Sequence, residues 1–129
     1  MPAALAAFNS TNQYYAVQLA RKNADRVETC IPQAPFMIDL YMIAALDRRV
    51  LGQYDQAARL YQRALEYDRR PELYLQLGLT DLQMNRRPEA RKALERAILF
   101  APSMLDEIDD AEIHLSLSRI AAEAVQHSR

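Results

Sequence analysis

PELYLQLGLTDLQMNRRPEARKALERAILFAP, residues 71–102, repeats a pattern of large and small side chains found 33 residues earlier in the chain. Sliding the sequence on itself by that interval places Tyr41, Ala57, Tyr61 and Ala64 on Tyr74, Ala90, Leu94 and Ala97. Repetition at such a period marks a solenoid, in which each unit is too small to bury its own apolar face and stacks on its neighbour. The small residues have a physical reason within it. Gly78 stands inside a helical pattern, where glycine costs about 1 kcal/mol relative to alanine, a cost accepted where another backbone must come close. Ala45 and Gly78 are expected to face Ala57 and Ala90 across their hairpins, letting the helices interdigitate at short distance. Ala64 and Ala97 are expected to do the same for the next helix.

The second copy reads Tyr74-x-x-Leu77-Gly78, then Ala90-x-x-x-Leu94-x-x-Ala97, then Pro102, which resembles the tetratricopeptide repeat. The first copy is looser: Tyr41-x-x-Ala44-Ala45, then Ala57-x-x-x-Tyr61-x-x-Ala64, with Arg69 in the place of the proline. Gly52-Gln53-Tyr54-Asp55 resembles the family's interhelix turn. Arg48 and Asp81 stand where the family prefers an aromatic, and the period is one residue under the usual 34. The resemblance implies an all-α, right-handed α-α superhelix of about six helices with terminal capping helices. It also implies a non-catalytic role, binding another polypeptide.

The flanks are read from their own residues. Met1 to Asn9 is small and apolar, a short helix or an arm, and the first helix is expected over 10–30, with Ser10 as cap and Gln13 reaching back to it. That helix is either the second half of a degenerate repeat or a simple cover for the solenoid's open end. Pro35 suits the first turn of a helix from Phe36 to Val50, which with Asp55 to Tyr67 makes a first hairpin over 36–69. The Phe36 helix is apolar nearly all round and must be covered on several sides. Pro71-Glu72 opens the second hairpin, 71–102, with proline in the first turn and a carboxylate at the positive helix end. The last element, 104–127, begins with acidic residues and continues as a helix from Ala111 to Gln126. Ala111-Glu112-Ile113-x-x-x-Leu117-Ser118 has the form of another repeat's opening, and the segment is read as a capping helix.

Composition narrows the function. The 129 residues amount to one domain, half hydrophobic, with a net charge of -1. That balance gives no general attraction to nucleic acid or to an anionic membrane. Gly52 and Gly78 are the two glycines, 26 residues apart, which excludes a glycine-rich phosphate loop. Cys30 is the single cysteine, so an intrachain disulfide and a cysteine metal cluster are both excluded; this fits a reducing compartment, and a cytoplasmic location is expected. Cys30 itself is expected half-buried and slow to react. Met1 to Phe8 is too short for a signal-peptide core or a membrane span. Lys22 and Lys92 are the only lysines among 16 basic residues, a bias read as that of a GC-rich bacterial genome.

No catalytic, cofactor or metal residues are expected. His114 and His127 lie 13 residues apart and form no zinc spacing. No serine lies in Gly-x-Ser-x-Gly. Asp106, Glu107, Asp109 and Asp110 lack the glycine and the spaced ligands of a calcium loop, and carboxylates before a helix are stabilised by its dipole. Arg48-Arg49, Arg69-Arg70 and Arg86-Arg87 sit at helix ends, where cations offset the negative end of that dipole.

The positive candidate is a concave groove. The resemblance implies that the first helix of each hairpin lines it, which selects Asp39, Met42, Leu46 and Arg49 from one repeat and Glu72, Leu75, Leu79, Leu82 and Gln83 from the next. Chaperone-binding members of the family hold a peptide carboxylate there with lysines and asparagines; here Met42, Leu46, Leu75 and Leu79 occupy the central places, so that clamp is not expected. An apolar groove suits an amphipathic helix or a hydrophobic extended segment of a partner protein. The alternatives are that a terminal helix of this chain or a second copy fills the groove, making a homodimer, and that the chain is a small chaperone or adaptor of a bacterial secretion or envelope system.

Overall fold

Six α-helices follow one another in the computed structural model, which describes the backbone of residues 2–127 and the side chains of residues 14–127. They are α1 Pro2–Cys30, α2 Ile38–Val50, α3 Tyr54–Leu65, α4 Pro71–Gln83, α5 Arg87–Phe100 and α6 Ala111–His127. Short 3-10 segments, Ile31–Gln33 and Pro102–Glu107, lie between α1 and α2 and between α5 and α6. Each helix packs on the next in chain order, and the result is the all-α helical-repeat fold.

The repeat in the sequence is a repeat in space. Gly52 and Asn85, 33 residues apart, both adopt left-handed backbone, with φ of 75° and 60°. Behind each, an N–H reaches back five residues: Gln53 to the Arg48 carbonyl at 2.8 Å, and Arg86 to the Asp81 carbonyl at 2.9 Å. This is the helix ending that a left-handed residue makes possible, and glycine and asparagine tolerate that conformation best. A second pair recurs in the same register: the Arg63 guanidinium lies 5.4 Å from the centre of the Tyr41 ring, and that of Arg96 lies 5.9 Å from the centre of the Tyr74 ring.

The core explains the small residues. Ala44, Ala45, Ala57 and Ala64 are fully buried in one cluster, which also holds Tyr41 and Tyr61. Ala97 lies equally buried in a second cluster with Leu94 and Ile98. At Gly78 a Cβ would stand 2.6 Å from Leu94 Cγ and 3.1 Å from the Ala90 carbonyl oxygen. The bare backbone of α4 is therefore what admits α5 at this distance.

Several boundaries differ from those read in the sequence. The backbone of α1 is helical from Pro2, so Ser10 is not a cap; its side chain and that of Gln13 lie outside the described residues. α1 packs on α2, with Ala20 and Ala24 buried. α2 starts at Ile38 rather than Phe36, and Phe36 is left 70% exposed; the Pro35 carbonyl instead accepts the Tyr41 hydroxyl at 2.7 Å. α3 starts one residue earlier and ends two earlier than expected. Cys30 is exposed, not half-buried. Arg48, in place of an aromatic, carries its charge to α1: Nε and Nη2 bond Glu28, Nη2 also bonds Asp25, and Nη1 bonds Gln53.

The contacts of α6 with α5 give its direction. Arg87, at the start of α5, pairs with Asp110 at 2.7 Å and with Glu112 at 3.3 Å, both at the start of α6. Leu99, near the end of α5, lines a cleft with Ile120, Glu123, Ala124 and His127, near the end of α6. The two helices therefore run in the same direction, and α6 is not the opening of another antiparallel hairpin. Residues 101–110 carry the chain back along the stack, burying Ile108 and half-burying Met104 and Leu105 in the cluster around Leu94.

Candidate protein-binding groove

α2 buries Ile38, Tyr41, Ala44, Ala45 and Arg48 against its neighbours. Those positions recur at three and four residues and so form one face. The next face, Asp39, Met42, Ile43, Leu46, Arg49 and Val50, stays open to water: Ile43, Leu46 and Val50 are 47%, 48% and 54% exposed, and Met42 and Arg49 are half-buried. Four of these were expected from the sequence. Ile43 and Val50 were missed, although their spacing from Asp39 and Leu46 was already a helical stripe.

α4 offers less than expected. Leu75 is 2% exposed and lies in the cluster with Tyr74, Leu94, Ile98 and Leu117, so it is core and not groove lining. Leu79 and Leu82 are half-buried and pack on that same cluster, to which Met104 and Leu105 also belong. The segment after α5 thus contributes to covering the apolar flank of α4. Glu72 and Gln83 are exposed and Gln76 is half-buried, so the open stripe of α4 is Glu72, Gln76, Leu79 and Gln83.

Arg49 joins the two stripes. Its Nη1 donates to Gln76 Oε1 at 2.6 Å and its Nε to Gln83 Oε1 at 3.1 Å. Gln76 has no signal in the sequence, because a pairing between residues 27 apart depends on how the repeats stack. The Tyr61 hydroxyl is buried beside the Arg49 guanidinium; burial pushes its pKa up, against the pull of Arg49. At the other end of the stripes Asp39 and Glu72 lie within electrostatic reach of Arg70, whose guanidinium is fixed on Asp68 at 2.8 Å.

Two of the other residues weighed in the sequence make local contacts at the ends of α6. Asp110 accepts the Ile113 N–H at 3.1 Å and so caps α6. His127 Nδ1 lies 2.8 Å from the Glu123 carbonyl oxygen. Among the described residues no group of three or more His, Cys, Asp or Glu is placed to hold a metal ion. Among them, too, no helix is long and apolar enough to cross a membrane.

Residues 71–104, which comprise α4, α5 and the start of the returning segment, match the family model of the tetratricopeptide repeat. No curated protein matches the chain.

Proposed function

We propose that this chain, which carries a tetratricopeptide repeat at 71–104, is a non-catalytic interaction module whose α2–α4 groove holds an apolar or amphipathic segment of another protein. The observation that carries the reading is the aliphatic row Ile43, Leu46 and Val50, about half exposed along one face of α2. Apolar side chains in a contiguous row on a water-facing helix are the usual mark of an interaction surface. Leu79 extends the row onto α4, lying between the two glutamines that Arg49 holds. Asp39, Glu72, Arg49 and Gln83 form a charged and polar rim that selects among partners. A single cysteine fits a reducing compartment, and the cytoplasm is the location this reading assigns.

The test is titration of a panel of synthetic amphipathic peptides, read by fluorescence anisotropy. Leu46→Asp should weaken every peptide that binds by roughly 30-fold or more, the loss expected when one leucine contact of about 2 kcal/mol is removed. Its melting temperature should stay near that of the parent. Leu75→Asp should instead unfold the domain. Undiminished binding by Leu46→Asp rejects the groove.

A self-assembly reading has its own observation. Tyr14, Tyr15 and Leu19 are exposed on α1, in a stretch with no charged residue before Arg21. Sedimentation over a dilution series separates the two: a persistent dimer broken by Leu19→Asp and not by Leu46→Asp favours assembly through α1.

A further inference from the structure

The groove between α2 and α4 has opposite charge at its two ends. Arg49 is half-buried and is held by two neutral amide oxygens, those of Gln76 and Gln83, with the neutral, buried hydroxyl of Tyr61 beside it. Arg48, Arg59, Arg70, Arg87 and Arg119 each hold a carboxylate; among the described residues no carboxylate is paired with Arg49. A partly desolvated cation without a counterion leaves a local positive potential, and an incoming carboxylate would relieve it. At the far end Asp39 and Glu72 lie within electrostatic reach of Arg70, but that guanidinium is already fixed on Asp68. Among the described residues neither Asp39 nor Glu72 holds an ion pair of its own, so both carboxylates are open to an incoming cation. Asp39 and Arg49 are ten residues apart on α2, about 15 Å at the helical rise.

We infer that the occupant of the groove is an amphipathic helix of a partner protein that carries acidic residues in its first turn and basic residues in its last turn, lying antiparallel to α2 and α4. This rests on the groove reading above and adds to it a form and a direction. The form follows from the lining: Ile43, Leu46 and Val50 offer no hydrogen bonds to a peptide backbone, and a helix brings its own. The direction follows from the ends: the partner's acidic first turn meets Arg49, and its basic last turn meets Asp39 and Glu72. Acidic first turns and basic last turns are also what a helix macrodipole favours. The partner's dipole then opposes those of α2 and α4.

The probes are two synthetic peptides of about ten to fifteen residues, roughly 15 to 22 Å as helix, with one apolar stripe and an i,i+4 covalent link that equalises their helicity. One carries Glu in the first turn and Lys in the last, and the other has these charges exchanged. The full chain should bind the first about tenfold more tightly at low ionic strength, with the ratio shrinking as salt screens the ends. Asp39→Lys/Glu72→Lys, at two exposed positions, should lower or invert the preference, and Arg49→Gln should lower it while circular dichroism shows the fold intact. Equal binding of the two peptides by the parent, or an unchanged ratio in both variants, overturns the direction; the groove reading survives that result if Leu46→Asp still removes the binding. Failure of both peptides to bind at all overturns the two readings together.

Discussion

Arg48 in α2 grips Glu28 in α1 through two parallel hydrogen bonds, Nε to Oε1 and Nη2 to Oε2, each 2.8 Å long. A forked contact of this kind is among the stronger polar interactions available to side chains, and here it ties the long first helix to the repeats. Arg48 is 9% exposed, so removing its partner leaves a charge in a poorly solvated place. Glu28→Ala should cost about 1 to 3 kcal/mol, less than for a fully buried pair because the Glu28 side chain is 32% exposed and Asp25 remains. Arg48→Met, which removes the charge itself, should cost less. Urea titrations decide between them, and equal midpoints for Glu28→Ala and the parent would show that the fork does not hold α1.

Gly78→Ala is expected to destabilise, although alanine is the better helix former by about 1 kcal/mol. The new methyl would meet Leu94 Cγ at 2.6 Å and Cδ2 at 2.7 Å, and Leu94 is fully buried, so something must shift. Overpacking of that kind costs about 1 to 3 kcal/mol and outweighs the propensity gain. A thermal melt reads the sign directly, and a rise in melting temperature would mean that α4 and α5 are less tightly apposed than they stand.

The two left-handed residues make a paired prediction. At Gly52 a Cβ would have nothing within 4 Å, so Gly52→Ala tests backbone strain alone and should cost about 1 kcal/mol. At the matching position Asn85→Gly should be neutral or stabilising by up to about 1 kcal/mol, since glycine meets no such strain. A loss for Gly52→Ala with none for Asn85→Gly is the expected outcome in the two melts, and a gain from Gly52→Ala contradicts the shared turn.

Acid stability should show the cap of α6. The Arg87 guanidinium beside Asp110, with the Ile113 N–H, holds that carboxyl at about 2, below its ordinary 3.8. The unfolded chain then takes up the proton more readily than the folded one. The contribution is therefore complete above about pH 4 and is lost as pH falls toward 2. Asp110→Asn should flatten that part of the stability curve. Asp81 goes the other way: burial raises its pKa more than Arg86 lowers it, so stability falls as pH rises through its titration, and Asp81→Asn is expected to be neutral or stabilising at pH 7. Chemical denaturation at a series of pH values checks both, and acid limbs that superimpose for the parent and Asp110→Asn count against the cap.

The hairpins were legible in the chain because their determinants are local. A 33-residue register of Tyr41 with Tyr74 and Ala64 with Ala97, a glycine where backbones approach, and Pro71 at a helix start all act within one or two helical turns, and the structure places these as read, whereas Pro35 falls before α2. The stripe of α2 was legible in part for the same reason, since helical spacing alone carries it. What the tertiary structure decided depends on segments that meet across the stack. Leu75 looks like groove lining from its position on α4, yet the returning segment 101–110 and α6 pack into the same cluster and it is core. The direction of α6 follows from ten residues whose path no periodicity specifies, fixed by the pairing of Arg87 with Asp110. Arg48 and Arg49 are neighbours in sequence and basic alike. Their side chains leave α2 about 100° apart, so that one closes on carboxylates of α1 and the other bridges to the amides of α4.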